Sequence, residues 1–153
     1  MAYQKLQVER ALTVIASDTI NIPNVAGPTV SGTTDGVTAN KLVDSTASFT
    51  SNLLGYIVYN TTDDTVATVT AVDDAGTLSL SADIMASGEN YTIYADDNNG
   101  CVLYAGAGGN IKVLTAGNDE VTFTGTAAGA FIPVQVKRVF ATPAPPAGII
   151  ALW

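Results

Sequence analysis

Apolar positions along the chain fall mostly on alternate residues, which is the period of a strand. Gly55–Tyr59 is a dense strand signal, and Thr65–Val72 is β-branched at most positions. Asp73-Asp74-Ala75-Gly76 marks a turn, after which Leu78 and Leu80 alternate with Thr and Ser. Asn90–Tyr94 places Tyr91 and Ile93 on one side. Cys101–Tyr104 is short and continuously apolar, and Gly106–Gly109 turns the chain. Ile111 pairs in phase with Val113, and Val121 with Phe123. Ile132, Val134 and Val136 alternate until Val139 and Phe140 break the parity, predicting a bulge near Lys137-Arg138. The chain closes on Ile149-Ile150-Ala151-Leu152-Trp153.

Toward the start, Leu6 and Val8 alternate as on a half-buried strand or arm, and Ala11–Ile15 is a short apolar run. Pro23 and Pro28 oppose helix, and the stretch from Gly27 to Gly36 reads as a turn-rich linker. The expected fold is therefore all-β. A small sandwich or barrel host is formed by residues 1–36 with 97–153, and a barrel-like meander is inserted at 37–96.

Composition supports strands over helices, because Gly and Thr are abundant. Only 13% of residues are charged against 47% hydrophobic, a surface poor in charge of the kind that partners cover. The net charge is −8 with six Lys and Arg, so phosphate neutralisation of nucleic acid is not expected, nor attraction to an anionic membrane. Residues 37–96 hold eight acids and one base, whereas the remainder holds six acids and five bases. An acidic module on a near-neutral base suits an insert that points into water while the base docks; acidic turns that merely keep a small β unit soluble are the other reading. Residues 1–7 carry no signal-peptide pattern and no run reaches membrane-span length, so a protein made and used without secretion is expected.

Chemistry is sparse. There is no His, so no Ser-His-Asp or Cys-His pair can form, and zinc lacks its usual ligands. Cys101 sits in an apolar run without a neighbouring base and reads as a buried small hydrophobe. Acids pair at Asp63-Asp64, Asp73-Asp74 and Asp96-Asp97. Oxygen ligands cluster at Asp96–Gly100, yet EF-hand spacing and flanking helices are missing, which favours a solvated turn over calcium. Gly106-Ala107-Gly108-Gly109 lacks the third Gly of a dinucleotide loop and precedes a strand. No catalytic residue, cofactor or metal is expected, and the chain is read as non-enzymatic.

The outer segments carry a resemblance. Arg10-Ala11 leading to Ser17-Asp18-Thr19 and Ile22-Pro23, then Asn99–Tyr104 with its Gly turn, follow one another in order. Gly125, Ala128-Gly129, Phe131–Val139 and the closing Ile149–Trp153 complete the set. Together they resemble virion structural proteins of marine and cyanobacterial tailed phages and the head-spike base proteins of gene transfer agents. Members of that family have a short turn where this chain carries residues 37–96, a segment that looks like a small β module of varied phage structural proteins.

The resemblance implies a capsid-surface role, as decoration, cement or spike-base subunit, in a virion made in the host bacterial cytoplasm. The implied partners are the major capsid protein and copies of the chain itself, a trimer favoured over a pentamer. A tail- or fibre-associated module binding a receptor or carbohydrate is the alternative, with Tyr56, Tyr59, Tyr91 and Tyr94 as its candidate aromatics and core packing of the insert as their competing role. Interfaces favour aromatic anchors, so Phe140, Ile149, Ile150, Leu152 and Trp153 are the candidate interface. The closing apolar run is either the last strand of its own core or an intersubunit contact.

Overall fold

A computed structural model describes residues 8–95 and 98–153. The described chain is built from strands, with one short 3-10 turn at Ser51–Leu53. Its contacts divide it into two compact units, one before residue 26 and after residue 97, the other between them.

The first unit holds β1 (Ala11–Thr13), β8 (Cys101–Ala105), β9 (Gly109–Thr115), β10 (Glu120–Thr126), β11 (Phe131–Val139) and β12 (Ile149–Leu152). They form one antiparallel sheet in the order β1-β12-β8-β11-β9-β10. Alternation decides which side chains face inward: Cys101, Leu103, Ile111, Val113, Val136, Ile149 and Ala151 are buried together. The chain between β1 and Ile22 ties distant strands, since Val14 N donates to Ile149 O (2.9 Å), Ser17 N to Val139 O (3.0 Å) and Ile22 N to Lys137 O (2.8 Å). The register of β11 against β9 shifts between Val136 and Arg138, where the parity break predicted a bulge.

The second unit holds β2 (Thr29–Thr33), β3 (Lys41–Val43), β4 (Ile57–Asn60), β5 (Thr65–Asp74), β6 (Thr77–Leu80) and β7 (Asn90–Tyr94). Their order is β2-β7-β4-β5-β6-β3. Asp35 N donates to Val43 O at 3.0 Å, which joins the end of β2 to the far edge strand and curls the sheet on itself. Leu42, Val58, Val69, Leu78, Tyr91 and Ile93 fill the core.

The stretch expected to be a linker is strand β2, so the units divide after Val25 and not after Gly36. Gly32 falls within the stretch expected to be a linker, but it lies opposite Tyr91 in a ladder. A Cβ there would come within 2.5 Å of the Tyr91 hydroxyl and 2.6 Å of Asp44 Oδ2, so Gly marks a close approach inside a strand.

Candidate docking surface

The five residues expected at an interface do not form one patch. β12 is an interior strand, paired to β1 through Thr13↔Ile150 and to β8 through Ile150↔Tyr104 and Leu152↔Val102. Ile149 is buried in the core of the first unit, and Trp153 packs against that core from its margin. Ile150 and Leu152 have the opposite parity and are half-buried on the outer face of the sheet.

That outer face carries more apolar surface than the closing run alone. Successive register pairs align Thr13, Ile150, Tyr104 and Phe131 across four strands. The next row aligns Ala11, Leu152 and Val102, of which Val102 is buried. Tyr104 and Phe131 meet edge to face with ring centroids 5.5 Å apart. Phe131 stays 57% exposed, a large aromatic with little cover. Val102, Tyr104 and Phe131 were not singled out from the sequence. The signals were present: an unbroken apolar run in Cys101–Tyr104 places apolar groups on both faces, and Phe131 has the wrong parity for the core set Ile132 and Val136.

Phe140 lies elsewhere in the unit and is buried. Lys112 Nζ stands 4.4 Å and Arg138 Cζ 5.8 Å from its ring, so its π face is occupied by cations. Arg138 is itself fixed, donating to Asn21 Oδ1 and to the Asp18 carbonyl, each at 2.9 Å. Lys112 pairs with Glu120 at 2.9 Å. Phe140 therefore anchors a cationic corner of its own unit.

In the second unit, Tyr59, Tyr91 and Tyr94 are buried, and Tyr56 packs against the core. Tyr59 and Tyr94 meet edge to face at 5.5 Å. Tyr91 and Tyr56 are core packing, while Tyr59 and Tyr94 are buried against each other outside that cluster, so the four rings offer no exposed stacking platform. Asp44 is a buried carboxylate that accepts from the Tyr91 hydroxyl (2.7 Å), Thr46 N (2.9 Å) and the Thr46 hydroxyl (2.7 Å). Burial opposes its ionisation, but the donors of Thr46 and Tyr91 outweigh it and hold the carboxyl below its ordinary 3.8. The same burial, with Asp44 alongside, raises the Tyr91 phenol.

A shallow cleft of about 280 Å³ is lined by Asp63, Thr65, Asp83, Ile84, Met85, Ala86 and Glu89. Fully buried Asn60 organises it, donating to Ile84 O (2.7 Å) and Glu89 Oε2 (2.9 Å) while its own oxygen accepts from Thr62 N and Asp63 N. Hydrogen bonding to Glu89 and the charge of Glu89 raise the Asp63 carboxyl, whereas the Ala86 amide lowers that of Glu89. Among the described residues no group of three or more carboxylates, Cys or His is placed to hold a metal ion. The Asp96-Asp97 pair of the calcium reading lies outside the described residues. Asp73 is salt-bridged to Lys41 at 2.8 Å. Cys101 is buried with its thiol on Val136 O, and burial pushes it up to about 12.

The unit boundary sharpens the segregation of charge. Residues 26–97 contain ten acids against one base, while the remainder contains four acids against five bases. An apolar outer face thus belongs to a unit with almost no net charge, and the acid is collected in the other. Comparison with known proteins adds no relative: no family model, no curated protein and no solved structure matches the chain.

Proposed function

We propose that the chain is a non-enzymatic structural protein of a tailed-phage-like virion, docking on the capsid surface through its first unit and presenting its acidic second unit to solvent. The observation that carries this reading is the apolar outer face of the first sheet, with Phe131, Tyr104, Ile150 and Leu152 on the unit that has almost no net charge. Contact surfaces favour aromatic residues at their centre and disfavour Asp and Glu. The sequence resemblance supplies the kind of partner, the major capsid protein. Docking in many copies gives a weak contact high avidity on an ordered shell.

Binding to assembled particles tests the reading. Phe131→Asp adds charge to an exposed position and leaves the core intact. It should weaken co-sedimentation with capsids about 30-fold, the scale of an interfacial aromatic worth ~2 kcal/mol. Glu89→Gln, in the second unit, should bind as wild type. Equal binding by Phe131→Asp and wild type overturns the assignment of the docking face.

The tail- or fibre-associated alternative draws no support from its aromatic candidates, since Tyr59, Tyr91 and Tyr94 are buried and Tyr56 packs on the core. Its remaining foothold is the acidic cleft, and glycan binding that Glu89→Gln abolishes would favour it.

A further inference from the structure

The first sheet ends at β10, and that edge is unguarded. Soluble proteins keep foreign strands off an edge with Lys, Pro, bulges or a covering segment. The stretch Glu120–Thr124 carries one acid at its start, no base and no Pro. Its register against β9 runs unbroken from Glu120 to Phe123, and the irregularity comes only afterwards, at Gly125 with φ +64°. Asp119 O accepts from Thr115 N at 2.9 Å. By the two-residue alternation of an antiparallel ladder, Val121 and Phe123 also bond toward β9. The N–H and C=O groups of Glu120, Thr122 and Thr124 therefore point off the sheet. Among the described residues no other backbone bonds them.

A second observation lies on the core side of the same strand. Val121 pairs with Val113 and Phe123 with Ile111, and both partners are fully buried. Val121 is nevertheless 39% exposed, and Phe123 only partly buried. The core runs out at this edge with two apolar side chains that lack a neighbouring strand.

We propose that β10 is a self-association edge, pairing antiparallel with β10 of a second copy about a two-fold axis at Thr122. With Thr122 opposite Thr122, Glu120 lies opposite Thr124 of the second copy, and Val121 opposite Phe123. The outward groups of Glu120, Thr122 and Thr124 then meet in phase, forming about six backbone hydrogen bonds. Val121 and Phe123 from both copies form one apolar row on the core side. The two Glu120 carboxylates stand about 14 Å apart along the strands, whereas a parallel in-register pairing would set them side by side. Lys112 of each copy already neutralises its own Glu120. This contact is isologous, so it produces a two-fold pair and not the three-fold arrangement that the resemblance implies.

Sedimentation equilibrium of the purified chain tests this without any capsid. The mass should rise with concentration from 15.7 kDa toward twice that value. Exchange of the Thr122 and Thr124 amides should slow in step with it. Thr122→Pro deletes an outward N–H without removing a bond to β9 and should leave a folded monomer. Thr122→Lys keeps the backbone, places like charges opposite each other at the axis, and should weaken association several-fold. It provides the reading if the Pro variant fails to fold. A wild-type chain that stays monomeric up to millimolar concentration overturns the proposal. So does a dimer or trimer that the folded Thr122 variants leave unchanged.

Discussion

At the scale of single residues, the second unit depends on a buried acid and the phenol that serves it. Tyr91→Phe removes the donor 2.7 Å from Asp44 Oδ2 and leaves a desolvated oxygen unmatched. The loss should be about 1–3 kcal/mol, read as a lower urea midpoint with an unchanged slope. Asp44 also sets a pH dependence. Its carboxyl is held below 3.8 in the fold, so its stabilisation is complete above that value and is lost as pH falls through the lowered one. Asp44→Asn should flatten that acid limb and lower stability at neutral pH. In the first unit, Cys101 should resist alkylation at pH 8, because burial raises its thiol to about 12, and should react once urea opens the unit. The inert, buried character of Cys101 was legible from its apolar neighbours. The Asp44–Tyr91 pair was not, because 47 residues separate its members and no local pattern signals their meeting.

At the scale of elements, the alternating runs located most strands within a residue or two, from Ile57–Asn60 to Ile149–Leu152. Strand β2 was illegible because Gly27-Pro28, Gly32 and Gly36 carry turn chemistry. Only the fold shows that Gly32 is needed to clear Tyr91. The closing run was legible as apolar but not as interior, since sequence gives no strand order. That order makes a definite prediction. β12 lies between β1 and β8, so deleting residues 149–153 removes Ile149 and Ala151 from the core and splits the sheet. The truncated chain should lose the cooperative unfolding of the first unit and regain Cys101 reactivity. A truncated chain that keeps Cys101 protected would show that the strand is dispensable.

At the scale of the whole molecule, the two units differ in charge and in what their surfaces offer. Residues 26–97 leave the first unit after Val25 and return at Asn98, and the two ends are tied together within that unit. Asn98 N donates to Ile22 O at 3.0 Å, and Asn98 Nδ2 donates to Ile22 O and Lys137 O. Replacing 26–97 by a short Gly-Ser linker should therefore leave the first unit folded, with its β-sheet circular dichroism and cooperative melting retained. The excised chain should also keep its affinity for particles, because the proposed docking face belongs to the first unit. Sequence patterning reached the two-part organisation and the segregation of acid. It did not reach the outer face, which is assembled from β12, β8 and β11 by pairing across nearly 50 residues of chain. Electron cryo-imaging of purified particles carrying this protein tests the proposed docking most directly. Density is expected over the capsid shell, with the sheet of Phe131, Tyr104 and Ile150 against the shell. Density confined to fibre tips, or shell contact that leaves this sheet uncovered, would contradict the docking proposal.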